Sequence, residues 1–144
     1  MYTRFSLSLV AIAFLVKFFA IVNTNFDLFG DEAQYWIWSQ NLNFGYYSKP
    51  PLLAWVIGSF TFLFGDSFEM LKIIPISTYV LSSYVIYLIS LELYNNKKLA
   101  ILSGGTFYLL PAVSVSSFLI STDVILILFY SFSLLFLIKI RKNP

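Results

Sequence analysis

Residues 5–22 read FSLSLVAIAFLVKFFAIV, an apolar run broken only by Ser6, Ser8 and Lys17. A helix needs about 20 predominantly apolar residues to cross a bilayer core. This run is too long and too aromatic for a cleaved leader, and no small-residue cleavage site follows it. It is therefore expected to form a first transmembrane helix. Working outward, residues 73–94, 99–118 and 124–138 repeat the pattern. The chain as a whole agrees, with 144 residues, 59% hydrophobic and 11% charged, against about 45–50% and 25% in soluble domains. The expected fold class is an all-α integral membrane protein with about four transmembrane helices. Four spans take up about 80 residues, which leaves one sizeable segment outside the bilayer, residues 23–72. A water-soluble enzyme is excluded.

The chain has no His and no Cys. That removes a Ser-His-Asp triad, a thiol nucleophile, disulfides and zinc sites built on imidazole or thiolate. Acid–base chemistry must come from carboxylates, Lys, Tyr or hydroxyls. A net charge of +2 is too small to point to nucleic acid, but its placement is informative. Arg4 precedes the first span, Lys97 and Lys98 join the second to the third, and Lys139, Arg141 and Lys142 follow the fourth. With four spans, all three sites fall on one side, which the positive-inside rule makes cytoplasmic. Segment 23–72 and the link before Asp123 then face the outside: the periplasm of a bacterium, where the inner membrane is the expected location, or the lumen of the endoplasmic reticulum in a eukaryote.

The outer segment reads as structured. Residues 31–42 (DEAQYWIWSQNL) suit a short helix, with Asp31 and Gln34 spaced as a capping box and Tyr35, Trp38 and Leu42 on one face at the interface. Residues 43–51 (NFGYYSKPP) are turn-rich, and Pro50 and Pro51 extend Lys49 before opening a second juxtamembrane helix at 52–64. Gly65 ends that helix, and Asp66 with Glu69 is expected to cap the next. Every Trp lies in this segment, where an aromatic belt at headgroup depth is one reading.

Two readings stand for each charged candidate. Asp31 is a helix cap or a general base at the membrane surface, and one carboxylate can be both. Lys49 is a snorkelling interfacial cation or a rigidly presented phosphate ligand. Asp123 is a cap for the last span or a second acid beside the first. Lys17 snorkels or pairs with an outer acid. Glu92 balances Lys97. Ser103-Gly104-Gly105 follows no strand and reads as a site of close helix packing, not a phosphate loop.

Three passages, Phe29-Gly30-Asp31-Glu32-Ala33-Gln34-Tyr35-Trp36, Gly45-Tyr46-Tyr47-Ser48-Lys49-Pro50-Pro51-Leu52 and Leu63-Phe64-Gly65-Asp66-Ser67, together with Thr122-Asp123, resemble the N-terminal module of GT-C glycosyltransferases. The resemblance is to the family-39-like branch, which groups bacterial relatives of protein O-mannosyltransferases with aminoarabinose–lipid A transferases. It implies a membrane enzyme that moves a sugar from a polyprenyl-phosphate donor to an acceptor hydroxyl on a glycan, lipid or protein, with inversion at the anomeric carbon. Asp31 matches the family's catalytic base, Lys49 the lysine at the donor phosphate, and Asp123 the second acid. Glu32, Tyr35 and Tyr47 of the same motifs join Lys49 and Asp123 as expected substrate-binding residues. Some relatives carry a metal-binding acid directly before the lysine. Here that position is Ser48, so a divalent cation is doubtful and no metal ligand is assigned.

Relatives are several hundred residues long, so residues 1–144 are expected to be an N-terminal module, with a downstream chain completing the fold and little transfer by this polypeptide alone. The alternative is an inactive truncated membrane protein or a scaffold subunit. A transporter would show repeated halves and buried charges; Pro75 and Pro111 interrupt helices, but there is no repeat.

Overall fold

A computed structural model describes residues 2–23 and 27–142, with side chains from residue 8 onward. Arg4 lies in the first helix, but its side chain is outside the described residues. Among the described residues the fold is all helix: α1 (Tyr2–Asn23), α2 (Gly30–Gln40), α3 (Leu52–Phe64), α4 (Phe68–Tyr94), α5 (Lys97–Leu109), α6 (Pro111–Ser116) and α7 (Thr122–Lys142). Helices α4 and α7 are long and apolar enough to cross a membrane, while Ser8–Asn23 and α3 form shorter apolar helices. Both juxtamembrane helices expected in the outer segment, α2 and α3, are present.

The expected third span, residues 99–118, is not one helix. Leu110 sits at φ −55°, ψ 134°, and Pro111 is the first residue of α6. The Pro111 ring crowds the residue before it out of the helical region, so the apolar run divides there despite its uniform hydropathy. Pro75, expected to interrupt a helix as well, lies inside an unbroken α4. The hydroxyls of Ser77 and Thr78 donate to the carbonyls of Ile73 and Ile74 at 2.7 and 2.8 Å just past the proline, whereas the carbonyl that Pro75 leaves without an N–H is that of Leu71, one turn back.

In lipid, apolar surface alone does not draw helices together, so small residues and hydrogen bonds must do so. Gly104 serves this purpose where α5 crosses α4: a Cβ there would lie 2.8 Å from the Ser83 carbonyl oxygen. The Ser83 hydroxyl donates to the Gly104 carbonyl at 2.8 Å, and Ser103 donates to Ser90 at 3.1 Å. The close-packing reading holds for Ser103 and Gly104. On the other side of α4, Val85 packs with Leu128 and Leu135 of α7.

Helices α4 and α7 run in the same direction. At one end Lys142 of α7 pairs with Glu92 of α4, N to O 3.5 Å, and also donates to the Glu92 carbonyl; the expected partner, Lys97, is not the one used. This end carries the basic clusters. At the other end, Leu71 and Ile74 of α4 and Ile125 of α7 close around Tyr35 of α2, Leu53 and Ile57 of α3, and Ile120. The charged motifs gather there.

Candidate functional site

Helix α2 begins at Gly30, with Phe29 as its cap. Asp31 is therefore inside the first turn, and the expected Asp31–Gln34 capping box does not form. Glu32 supplies the cap instead, accepting from the Phe29 N–H at 3.0 Å. Consecutive helical residues point about 100° apart, so Asp31 stays exposed while Glu32 turns inward to 2% exposure. Both acids lie at the positive end of the helix dipole.

Glu32 was expected to bind substrate; it is placed in a buried network with both oxygens occupied. Its carboxylate receives Lys72 Nζ on each oxygen at 2.7 Å and the Ile120 N–H at 2.7 Å. Lys72 also donates to the Phe118 carbonyl at 3.0 Å. Lys72 was missed from sequence because it falls at the edge of an apolar run and its partner lies forty residues upstream. The only signal was an ammonium directly before the apolar run that opens at Ile73.

The turn that carries Lys49 is pinned in its first half, at Asn43, Phe44 and Tyr46. Tyr46 stacks on Trp38, centroids 4.8 Å apart, and its hydroxyl contacts the Trp38 carbonyl at 2.9 Å. Trp55 donates to the Asn43 carbonyl at 2.9 Å, and Phe44 packs edge-on against its ring. The far end of α2 is tied down by Trp36, whose indole donates to Asp66 at 2.7 Å. Asp66 is thus not the cap of α4 as expected; the Ser67 hydroxyl accepts from Met70 N–H instead. Gly65 does end α3, at φ 95°, a conformation that glycine adopts without strain.

The pinned turn brings Lys49 over Tyr35, with its Nζ 5.8 Å from the ring centroid. A hydrogen bond to the Tyr35 hydroxyl, followed by the charge of that phenol, raises the Lys49 pKa; partial desolvation opposes this, and Asp31 and Asp123 add smaller increments. Lys49 therefore stands within electrostatic reach of both aspartates, one from α2 and one from the exposed first turn of α7. Tyr35 itself is 2% exposed and forms a wall of the apolar cluster. Tyr47, by contrast, is fully exposed and faces open surface.

Below this group, a cavity of about 490 Å³ opens between α1, α6 and the start of α4, with Ile21, Phe29, Phe68, Val115 and Leu119 on its walls and Lys72 as its charged residue. Among the described residues no three carboxylates converge where a metal ion would sit. The donor set of Asp31, Asp123 and an intervening ammonium does not fit a divalent cation, which takes oxygen ligands. Lys17 does not snorkel. It is 6% exposed, its ammonium lies 4.0 Å from the centroid of the Tyr108 ring, and neither Lys17 Nζ nor Tyr108 hydroxyl has a hydrogen-bond partner among the described residues.

The described residues thus form an apolar helical bundle with Asp31, Lys49 and Asp123 at one end of its long helices. Residues 48–144 match the family described as Dolichyl-phosphate-mannose-protein mannosyltransferase. The chain is also 40% identical over 119 residues to "Lipid A galacturonosyltransferase RgtD" of Rhizobium johnstonii, covering 80% of this chain and 25% of that protein. The chain thus spans about a quarter of the length of this relative. No solved structure matches it. The chain belongs to the dolichyl-phosphate-mannose-protein mannosyltransferase family, within the GT-C glycosyltransferases, and is an integral membrane protein.

Proposed function

We propose that the chain carries the donor-phosphate and base residues of a glycosyltransferase that moves a sugar from a polyprenyl-phosphate carrier to an acceptor hydroxyl. The observation that carries the reading is Lys49, a cation beside the Tyr35 ring and within electrostatic reach of Asp31 and Asp123. An ammonium on a rigid turn binds phosphate as a point charge, and an exposed carboxylate beside it can accept a proton.

In this reading Asp31 takes the proton of the acceptor hydroxyl as its oxygen attacks the anomeric carbon. The bond from that carbon to the phosphate oxygen breaks, and the lipid phosphate leaves with the electron pair while Lys49 offsets its charge. Attack opposite the leaving group inverts the anomeric centre. Asp123 holds sugar or acceptor hydroxyls from the facing side. The apolar cavity beside Lys72 takes part of the lipid chain, since it is almost wholly hydrocarbon-lined. The site faces the outer side of the membrane, because the basic residues gather at the opposite end of α4 and α7 and basic loops stay cytoplasmic.

Lys49→Ala tests the reading. Donor affinity, measured as binding of a polyprenyl-phosphate sugar to the purified protein in lipid nanodiscs, is expected to fall by about tenfold or more, matching the loss of one charge-assisted contact of roughly 1.5–3 kcal/mol. An unchanged affinity would contradict the phosphate role.

A further inference from the structure

The buried pair of Glu32 and Lys72 makes more contacts than a cap requires. Two of its bonds run to the linker between α6 and α7: Ile120 N–H to Glu32 at 2.7 Å, and Lys72 to the Phe118 carbonyl at 3.0 Å. Ile120 lies three residues before Asp123, and Glu32 directly follows Asp31. The two exposed aspartates, 92 positions apart in sequence, are thus joined by a short bonded path through one ion pair.

The apolar cluster of Tyr35, Leu71, Ile74, Ile120 and Ile125 already holds the same elements together. Such contacts are non-directional and permit sliding by fractions of a helical turn. Charge-assisted hydrogen bonds fix distance and angle. Burying two charges is also an expensive way to join helices, because a hydrophobic pair of like volume commonly stabilises as well or better. What the ion pair adds is register.

We propose that Glu32 and Lys72 form a positioning pair that sets α2 against the α6–α7 linker, so that Asp31 and Asp123 face one another across Lys49. The inference rests on the functional reading above for the meaning of the two aspartates. It concerns geometry, so its own test reads a distance, and transfer is measured only to separate it from the functional reading.

The chain has no cysteine, which makes paired spin labelling direct. Labels at Gln34→Cys on α2 and Tyr130→Cys on α7, both exposed positions, report the distance between the two helices by pulsed electron paramagnetic resonance in nanodiscs. A single substitution strands a buried charge, so the variant compared is Glu32→Met with Lys72→Met, which removes both. Expected is helical content equal to that of the parent, with the single narrow interhelical distance lost and replaced by a broad or divided distribution. An unchanged narrow distance would overturn the proposal. So would loss of helical content in the double variant, since the pair would then be a folding requirement and not a positioning device. A lost register alongside unimpaired transfer in Asp31→Asn would leave the positioning intact and remove the functional reading instead.

Discussion

Lys49 stands over the ring of Tyr35, its Nζ 5.8 Å from the centroid. The two residues come from different kinds of structure: Tyr35 from the buried face of α2, Lys49 from a turn held by Tyr46, Trp38 and Trp55. Their meeting fixes an ammonium at the end of the bundle where Asp31 and Asp123 are exposed. It also gives that ammonium a measurable signature.

Tyr35, and after it the two aspartates, raise the Lys49 pKa above the ordinary 10.5. Folding thereby favours the charged form, so this contribution to stability is complete below the ordinary value and is lost as the pH climbs through the raised one. The ammonium is accordingly expected to stay charged throughout the physiological range. Following the Lys49 side chain by carbon NMR after reductive methylation should give a midpoint above that of a free lysine. Tyr35→Phe should lower that midpoint more than Asp31→Asn or Asp123→Asn does. A midpoint unmoved by Tyr35→Phe would mean the contact does not persist in solution.

The membrane class, both juxtamembrane helices and the tight crossing at Gly104 were all legible from composition, periodicity and motif. Those features are local or follow from a repeated chemical type. Helix edges and pairings were less accessible. Leu110 breaks its helix because of the Pro111 ring, while the same residue type at Pro75 lies inside an unbroken α4, a difference that residue type alone does not encode. The cap of α4 fell to Ser67 because Asp66 was drawn away by Trp36, thirty residues distant. Glu32 with Lys72 and Glu92 with Lys142 are long-range choices that no spacing rule encodes. Within the Asp31-Glu32 motif, only the helix phase, set by a cap at Phe29, decides which acid is buried.

Lys17 lies against Tyr108 with no hydrogen-bond partner for its ammonium among the described residues. A desolvated cation–π contact contributes about 2 kcal/mol, and a lysine at the centre of a membrane helix costs roughly 2.5–3.5 kcal/mol. Lys17 lies in the last third of α1, where the cost is smaller, so gain and cost come close to cancelling. Lys17→Met, which keeps the volume and removes the charge, is expected to insert normally and to unfold at a temperature equal to or above that of the parent in detergent. A clear drop in that temperature would show that the ammonium has a partner of greater worth than the ring.

Gly104→Ala places a methyl 2.8 Å from the Ser83 carbonyl oxygen. That atom is backbone, so relief requires α4 and α5 to separate, lengthening the Ser83–Gly104 hydrogen bond. Overpacking of this kind costs about 1–3 kcal/mol. The expected outcome is a lower unfolding temperature with the Lys49 midpoint unchanged, since the crossing lies away from the charged end. Wild-type stability in this variant would show that the two helices are not in close contact there.

The account as a whole is decided by Asp31, the exposed acid beside Lys49. Transfer of radiolabelled sugar from a polyprenyl-phosphate carrier should be measured in membranes holding the natural enzyme and its Asp31→Asn variant at equal levels. Removing a general base costs about 100- to 10,000-fold in rate, so the variant is expected to lose transfer by at least the smaller factor while inserting normally and binding donor as before. Turnover equal to that of the parent would contradict the account.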